Sequence, residues 1–240
     1  MPNVQYDPDI SKEKLTLYLT GDKTSWITIE HLPDNIKQYA IDNFNAMFEL
    51  HPQDKGKVLV FNGLIEDPNW VETQCSRWYQ SYENTPTFDN TVMKSYMFSG
   101  QTNININKSL PDILAPLYDC MKEKDSRYNQ VVVNWYNDDD SIPYHSDCEA
   151  YMMKDHTIGL INLLPSVNLN NYRQFKLISK DNTKTLFDEV DIVLKHGIII
   201  TMGGQLQQTF RHGVEICPDS SHRISLSFRQ FDLKTTNSVN

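Results

Sequence analysis

Arg223-Ile224-Ser225-Leu226-Ser227-Phe228-Arg229 alternates strictly between polar and apolar residues. A period of two belongs to a β-strand, not to a helix. It sends Ile224, Leu226 and Phe228 into the core and Arg223, Ser225, Ser227 and Arg229 to the opposite face. Upstream, Val131–Tyr136 divides in the same way, with Val131, Val133 and Trp135 against Val132, Asn134 and Tyr136. Between these two runs lie Thr157–Leu163, Tyr172–Ile178, Phe187–Leu194 and Gly197–Met202, all short, β-rich and bounded by turn residues. Strands of this kind, beginning near Asn129 and not alternating with helices, predict a sandwich or jelly roll rather than a parallel α/β sheet.

Outward from that block, helical spacing relates Ile36, Ala40, Phe44, Met47 and Phe48, which predicts a helix from Asp34 to Leu50 capped by Asp34 after Pro33. A second helix is expected to start near Pro111, with Ile113, Leu114, Leu117, Tyr118 and Met121 on its buried stripe. The fold class is therefore α+β, mainly β with flanking helices. The expected organisation is a single domain, 75–234, carrying an N-terminal extension, 1–74, whose helix packs on the core. The first ten or so residues and Thr235–Asn240 read as loose polar ends.

A formal net charge of −9 in 240 residues argues against non-specific nucleic-acid binding over the whole surface. A local basic groove stays open, because phosphate contacts need only a few cations. Apolar runs such as Ile198–Met202 are too short to span a bilayer, and the N-terminus lacks the features of a secretion signal. The expectation is an intracellular protein, monomeric and without membrane association. Cys75, Cys120, Cys148 and Cys217 are scattered and without metal-like spacing, so they read as free thiols.

Three groups of residues can carry chemistry. In His145-Ser146-Asp147 an imidazole and a carboxylate stand two apart, and on an extended strand both point to one face. Alone, that pattern is better read as a surface turn in the acidic stretch Asn137–Asp147. His212, in Phe210-Arg211-His212-Gly213, changes the balance, because two histidines and one carboxylate form the facial triad of non-heme Fe(II) oxygenases. Arg223 and Arg229 are either an exposed ladder or a bidentate site for a small dicarboxylate. Six residues of strand span roughly 20 Å, so both guanidiniums must lean inward to reach one ligand. Asn134 and Tyr136 either present an amide and a phenol to such an acid or are satisfied core polar groups.

Asn134-Trp135-Tyr136, His145-Ser146-Asp147, Met202-Gly203-Gly204-Gln205-Leu206-Gln207-Gln208-Thr209-Phe210-Arg211-His212 and Arg223–Arg229 together resemble, in order and spacing, the AlkB family of nucleic-acid dealkylating dioxygenases. The resemblance extends over roughly residues 75 to 231. It implies a double-stranded β-helix, a form of jelly roll. It also implies His145, Asp147 and His212 as Fe(II) ligands, with Asn134, Tyr136, Arg223, Ser227 and Arg229 contacting 2-oxoglutarate. Ser227 stands where the family often has threonine, and Ser225 where many members have asparagine. Ser76–Tyr82 resembles the family's nucleotide-recognition segment, although Ser76 and Glu83 replace the usual proline and glycine. Tyr96-Met97-Phe98-Ser99-Gly100 resembles the aromatic segment that follows it in members acting on DNA.

The activity so implied uses dioxygen and couples decarboxylation of 2-oxoglutarate to succinate with hydroxylation of an N-alkyl group, which leaves as formaldehyde. Alkylated DNA with 1-methyladenine or 3-methylcytosine is the implied repair substrate, and alkylated RNA is the alternative. The base must be flipped or single-stranded to reach the metal. Phe98 and the His145 ring are placed to stack on it, Glu149 to read its edge, Arg77 to contact the base or backbone, and Tyr82 and Tyr96 to line the substrate lid within 75–100. The competing readings are a protein hydroxylase on the same iron site and a metal-free jelly-roll binding module. The full triad, both arginines and the Asn134/Tyr136 pair argue against the module.

Overall fold

The computed structural model describes residues 3–8, 14–61, 70–83, 108–147, 152–153, 155–167, 169, 171–181 and 184–231. In chain order the strands are β1 (Asn3–Tyr6), β2 (Leu15–Tyr18), β3 (Ser25–His31), β4 (Lys57–Phe61), β5 (Trp70–Gln74), β6 (Trp78–Glu83), β7 (Lys108–Ser109), β8 (Gln130–Tyr136), β9 (Ile142–His145), β10 (Thr157–Leu163), β11 (Gln174–Ser179), β12 (Glu189–Val193), β13 (Ile198–Gly204), β14 (Phe210–Val214) and β15 (Arg223–Arg229). The helices are α1 (Asp34–Asp42), α2 (Phe44–Phe48), α3 (Ala115–Lys124, entered through a 3-10 turn at Asp112–Leu114) and α4 (Leu206–Thr209). None of them is long and apolar enough to cross a membrane, among the described residues.

The strands form an eight-stranded sheet in the order β2-β3-β13-β10-β15-β8-β6-β7, a five-stranded sheet in the order β1-β12-β11-β14-β9, and a separate β4-β5 hairpin. From β8 to β15 the chain passes repeatedly between the two large sheets. The set β8-β15-β10-β13 lies in one and β9-β14-β11-β12 in the other. That is the double-stranded β-helix implied by the family resemblance, a form of the jelly roll expected from the strand pattern.

The eight-stranded sheet is covered on both faces, which is why β10 and β13 read as continuous apolar runs. Its outer face packs on the helices. Ala40, Phe44 and Met47 from α1 and α2, and Leu117, Tyr118 and Met121 from α3, meet Val131, Val133, Trp135, Ile224, Leu226 and Phe228. Trp135 Nε1 donates to Met47 O at 2.8 Å and so keeps its polar atom satisfied within that core. The inner face meets the five-stranded sheet through Ile158, Leu160, Ile200 and Met202 against Phe175, Leu177, Val190 and Ile192. The odd–even split of β8 and β15 thus sorts apolar residues to the helices and polar ones to the cleft between the sheets.

Three local expectations change. The helix expected over 34–50 is divided at Asn43, whose side-chain Nδ2 donates to Tyr39 O at 2.9 Å. A side chain competing for a helix carbonyl in this way offers the backbone an alternative to continuing. Asp34 is the first helical residue rather than the cap, Pro33 holds the cap position, and the Asp34 carboxylate pairs with Lys37 Nζ at 2.6 Å. Asn3–Tyr6 are not part of a loose end, because β1 pairs in parallel with β12 from Asn3↔Glu189 to Tyr6↔Ile192, whereas the expected loose end at Thr235–Asn240 lies outside the described residues. β3, from the stretch read as an extension, pairs with β13 along its whole length.

His196 ties α1 to the end of β10. Its Nδ1 lies 2.8 Å from Leu164 O and its Nε2 3.1 Å from Lys37 O. Burial holds it below the ordinary histidine value, against the pull of those two carbonyls. In the unfolded chain it takes up a proton near pH 6.5. As pH falls below about 6.5 the unfolded state therefore binds more protons than the folded one, and stability is lost. Urea unfolding at about pH 7.5 and about pH 5.5 should show a smaller acid loss for His196→Gln than for the unsubstituted chain. Equal losses would place the effect on other groups.

Candidate metal centre

β9 ends at His145 and pairs with β14 so that His145 and His212 are direct cross-strand partners. Opposed residues on neighbouring strands bring side chains together, and the two imidazoles stand 4.4 Å apart between ring centres. Asp147 follows two residues beyond the strand end, with Oδ1 3.7 Å from His145 Nε2. One ligand atom from each of His145, Asp147 and His212 lies within 4.8 Å of the others. The structure therefore brings together the three residues that the sequence singled out as ligands.

Their chemistry suits a divalent metal. Burial pushes the His212 imidazole down to about 3, and burial also lowers His145 despite the opposing pull of Asp147. Both rings are therefore neutral, the form that ligates. His145 Nδ1 lies 2.8 Å from Pro143 O, so it carries the proton and leaves the Nε2 lone pair facing Asp147. His212 packs 5.5 Å from the Phe175 ring, and its Nδ1 is buried without a hydrogen-bond partner among the described residues. Two neutral nitrogens and a carboxylate, converging on one point in a cleft, fit the donor set of a facial triad.

The walls of the same cavity are cationic. Asn134, Tyr136, Arg77, Arg223, Ser225, Ser227 and Arg229 all line it, together with the three candidate ligands. The register of β15 on β8 opposes Arg223 to Tyr136 and Ser225 to Asn134. This stacks the Arg223 guanidinium on the Tyr136 ring at 4.3 Å. Arg223 is 1% exposed. Its Nε donates to Asn162 Oδ1 at 2.6 Å, and its Nη1 is buried without a hydrogen-bond partner among the described residues. Burial lowers its pKa, the cost of holding a guanidinium away from water. At the other end of the strand Arg229 Nη2 binds both carboxylate oxygens of Asp147, at 2.9 and 3.1 Å. The two arginines thus reach one cavity with different partners, Arg229 committed to a candidate ligand and Arg223 to no carboxylate among the described residues.

The expected substrate residues separate. Arg77 is buried in the cavity wall, where its Nε donates to Asn134 Oδ1 at 2.9 Å. Tyr82 does not line the cavity. It shares the face of Trp78 on β6 and sits in the helix-side core, where burial pushes its hydroxyl up to about 12. Period-two alternation makes that unavoidable once Arg77 and Tyr79 turn toward the cleft. Tyr96, Phe98 and Glu149 lie outside the described residues, as does most of the lid expected over 75–100.

Three supporting residues were not singled out from sequence. Asn162, the polar interruption of an apolar strand, gives its oxygen to Arg223 and its Nδ2 to Leu194 O and Lys195 O at 3.1 and 3.0 Å. That interruption was a signal available in the sequence. Arg173, 3% exposed, binds Ser220 Oγ at 3.0 Å and the carbonyls of Asp140 and Asn137, and lies 5.9 Å from the Tyr136 ring. Gln207, in α4, accepts the Asp147 backbone N–H on Oε1 at 2.9 Å. Gln207 lies within the motif segment Met202–His212 but had no role assigned in it, and Arg173 carried no periodic or motif signal.

The chain is similar in sequence to known proteins. The chain is 25% identical over 178 residues to the alpha-ketoglutarate-dependent dioxygenase alkB homolog 3 of Mus musculus, covering 70% of this chain and 54% of that protein. The rat protein of the same name is 29% identical over 178 residues, covering 70% of this chain and 53% of its own length. The chain therefore spans about half the length of the curated relatives it matches. A crystal structure of an oxidoreductase of the 2OG-Fe(II) oxygenase family from Burkholderia pseudomallei superposes with a TM-score of 0.45 at 12% identity, over 84% of each chain. The family model described as the 2OG-Fe(II) oxygenase superfamily matches residues 52–229, more than half of the chain and the whole span from the β4 hairpin to Arg229. On that match, the chain belongs to the 2OG-Fe(II) oxygenase superfamily.

Proposed function

We propose that this chain is an Fe(II)- and 2-oxoglutarate-dependent oxygenase that removes alkyl groups from nucleobases, with N-methylated bases in DNA as its substrate. The observation that carries the reading is one cavity holding a two-histidine, one-carboxylate cluster beside three arginines, with Asp147 the one acid among the described lining residues. His145, Asp147 and His212 would hold the metal. Bound there, Fe(II) would supply the oxidising chemistry that couples decarboxylation of 2-oxoglutarate to oxidation of the N-alkyl group.

The chain's own residues position and neutralise. Arg223, with a buried Nη1 to satisfy, takes a carboxylate of the co-substrate, and Asn162 aims it by holding Nε. Tyr136 braces the guanidinium from the flanking strand. Arg229 neutralises Asp147 and keeps its carboxylate directed toward the two imidazoles. Arg77 fixes the Asn134 amide through its oxygen, leaving the amide N–H groups for the co-substrate, and adds positive charge beside the His145 ring. The aliphatic and aromatic walls, including Ile158, Leu160, Phe175 and Met202, exclude water from the reacting groups.

The nucleobase as substrate is favoured by the AlkB-like order of motifs and by Arg77 at the cavity wall, where an anion or base edge would meet it. A target base inside a duplex must leave the stack to enter such a cleft. The test is a panel of single- and double-stranded DNA and RNA oligonucleotides bearing 1-methyladenine or 3-methylcytosine, with Fe(II) and 2-oxoglutarate. Formaldehyde and succinate should appear together, and more from methylated DNA than from RNA. Succinate without formaldehyde from any oligonucleotide would reject the nucleobase and leave the oxygenase. Faster turnover of RNA would reverse the order of substrates.

A further inference from the structure

We propose that Gln207 is a positioning residue of the metal centre, holding the backbone of Asp147 through its side-chain carbonyl and so setting where the ligating carboxylate stands. The proposal rests on the reading of His145, Asp147 and His212 as metal ligands. Its physical origin is the end of β9. Pairing with β14 reaches His145 and goes no further, so Asp147 lies beyond the ladder and its N–H has no cross-strand carbonyl. A buried backbone donor must find a partner elsewhere.

Gln207 Oε1 provides it at 2.9 Å. One residue earlier, Ser146 Oγ donates to Phe210 O at 3.0 Å. Both anchors come from the segment that runs directly into His212. The turn carrying one candidate ligand is thereby fastened to the strand carrying another, and the separation between them no longer depends on β-sheet pairing.

The geometry around Gln207 gives it one orientation. It is 5% exposed, and its Nε2 faces the weak acceptor Met202 Sδ at 3.6 Å, which leaves Oε1 for Asp147. Its backbone is held as well, since Lys180 Nζ donates to Gln207 O at 2.7 Å. Just upstream, β13 stops at Gly204 with φ +65°, where a Cβ would strike the Thr24 carbonyl oxygen. Gln205 N donates to that same oxygen at 2.8 Å. Only glycine turns the chain there without strain, so α4 has one place to stand and Gln207 one place to point. Outer-shell groups of this type orient a ligand before the metal arrives, and losing one typically costs about 10–100-fold in metal affinity.

A glutamine that merely fills space is distinguished from one that accepts a hydrogen bond by changing the acceptor and keeping the shape. Co(II) is titrated into the full chain by calorimetry and followed by its visible absorption bands. The proteins compared are the unsubstituted chain, Gln207→Met, Gln207→Ala, Gln207→Glu and His212→Ala. Methionine and alanine remove the acceptor, and both should weaken Co(II) binding by about 10–100-fold and alter the absorption bands. Glutamate keeps an acceptor oxygen and should bind Co(II) at close to the original affinity. Undiminished affinity in Gln207→Met overturns the proposal, and so does an equal loss in Gln207→Met and Gln207→Glu, because the amide N–H that both variants lack, and not the acceptor oxygen, would then be what matters. If the unsubstituted chain and His212→Ala bind Co(II) alike, the metal-centre reading fails and the proposal with it.

Discussion

Replacing His212 with alanine should lower succinate formation by more than about 100-fold, beyond the 10–100-fold range for loss of an outer partner, while leaving the chain folded. The ring contributes a neutral nitrogen to the cluster, and burial keeps it neutral by holding its pKa near about 3. Its removal takes away packing against Phe175 but strands no charge. Turnover measured as succinate formed with Fe(II) and 2-oxoglutarate should therefore collapse without a matching collapse in the urea midpoint. Retained turnover would reject the triad. Asp147→Ala should abolish turnover equally but at a structural cost. It removes the carboxylate that Arg229 grips at 2.9 and 3.1 Å, and breaking a buried ion pair from one side costs about 3–5 kcal/mol. His145→Ala should resemble His212→Ala, because its Nδ1 bond to Pro143 O is a local one.

The second large effect is on the co-substrate. Arg223→Met should raise the apparent KM for 2-oxoglutarate by about 30-fold or more, the equivalent of the lower end of the roughly 2–5 kcal/mol lost when one partner of a buried charge pair is truncated. Co(II) affinity should stay unchanged. Arg223 faces no carboxylate among the described residues and burial works against its charge, with Tyr136 opposing part of that cost, so a co-substrate carboxylate placed there would offset the rest. The substitution should cost the metal-free fold no more than the roughly 1–3 kcal/mol of leaving the Asn162 oxygen without its donor. An unchanged KM would remove Arg223 from the co-substrate site. Arg229→Met should behave differently, weakening metal and co-substrate together, because its guanidinium is bound to a candidate ligand. The two arginines look equivalent on the strand and are separated by what each one faces.

Much of the architecture was legible before any coordinates. The alternation of β15 and β8, and the apolar runs of β10 and β13, came from local periodicity, which a strand imposes on its own residues. His145 and Asp147, two apart, were legible as a same-face pair that alone read as a surface turn, and His212 entered through the residue types of a facial triad and the family-like order of motifs. β9 and β14 were harder to see. Each is short, and its core residues, Ile142 in β9 and Phe210 and Val214 in β14, are too few to show a period between Pro143, His212 and Gly213. The break at Asn43 was hidden because the apolar spacing continues through it, while a side-chain bond to Tyr39 O ends the helix. Tyr82 was misplaced because a motif-like segment gives composition but not which face turns inward.

The sequence by itself determined the jelly-roll class through strand periodicity, and the three candidate ligands and the arginine pair through motifs whose order and spacing resemble a known family. Only the tertiary structure decided that Arg229 is tied to Asp147, that Asn162 aims Arg223, and that Gln207 holds the turn beyond β9. Those partners lie 82, 61 and 60 positions apart in the chain. Periodicity records which way a side chain points within its own element. Which distant side chain it meets is set by how the two sheets close on each other, and no short-range pattern in the chain carries that.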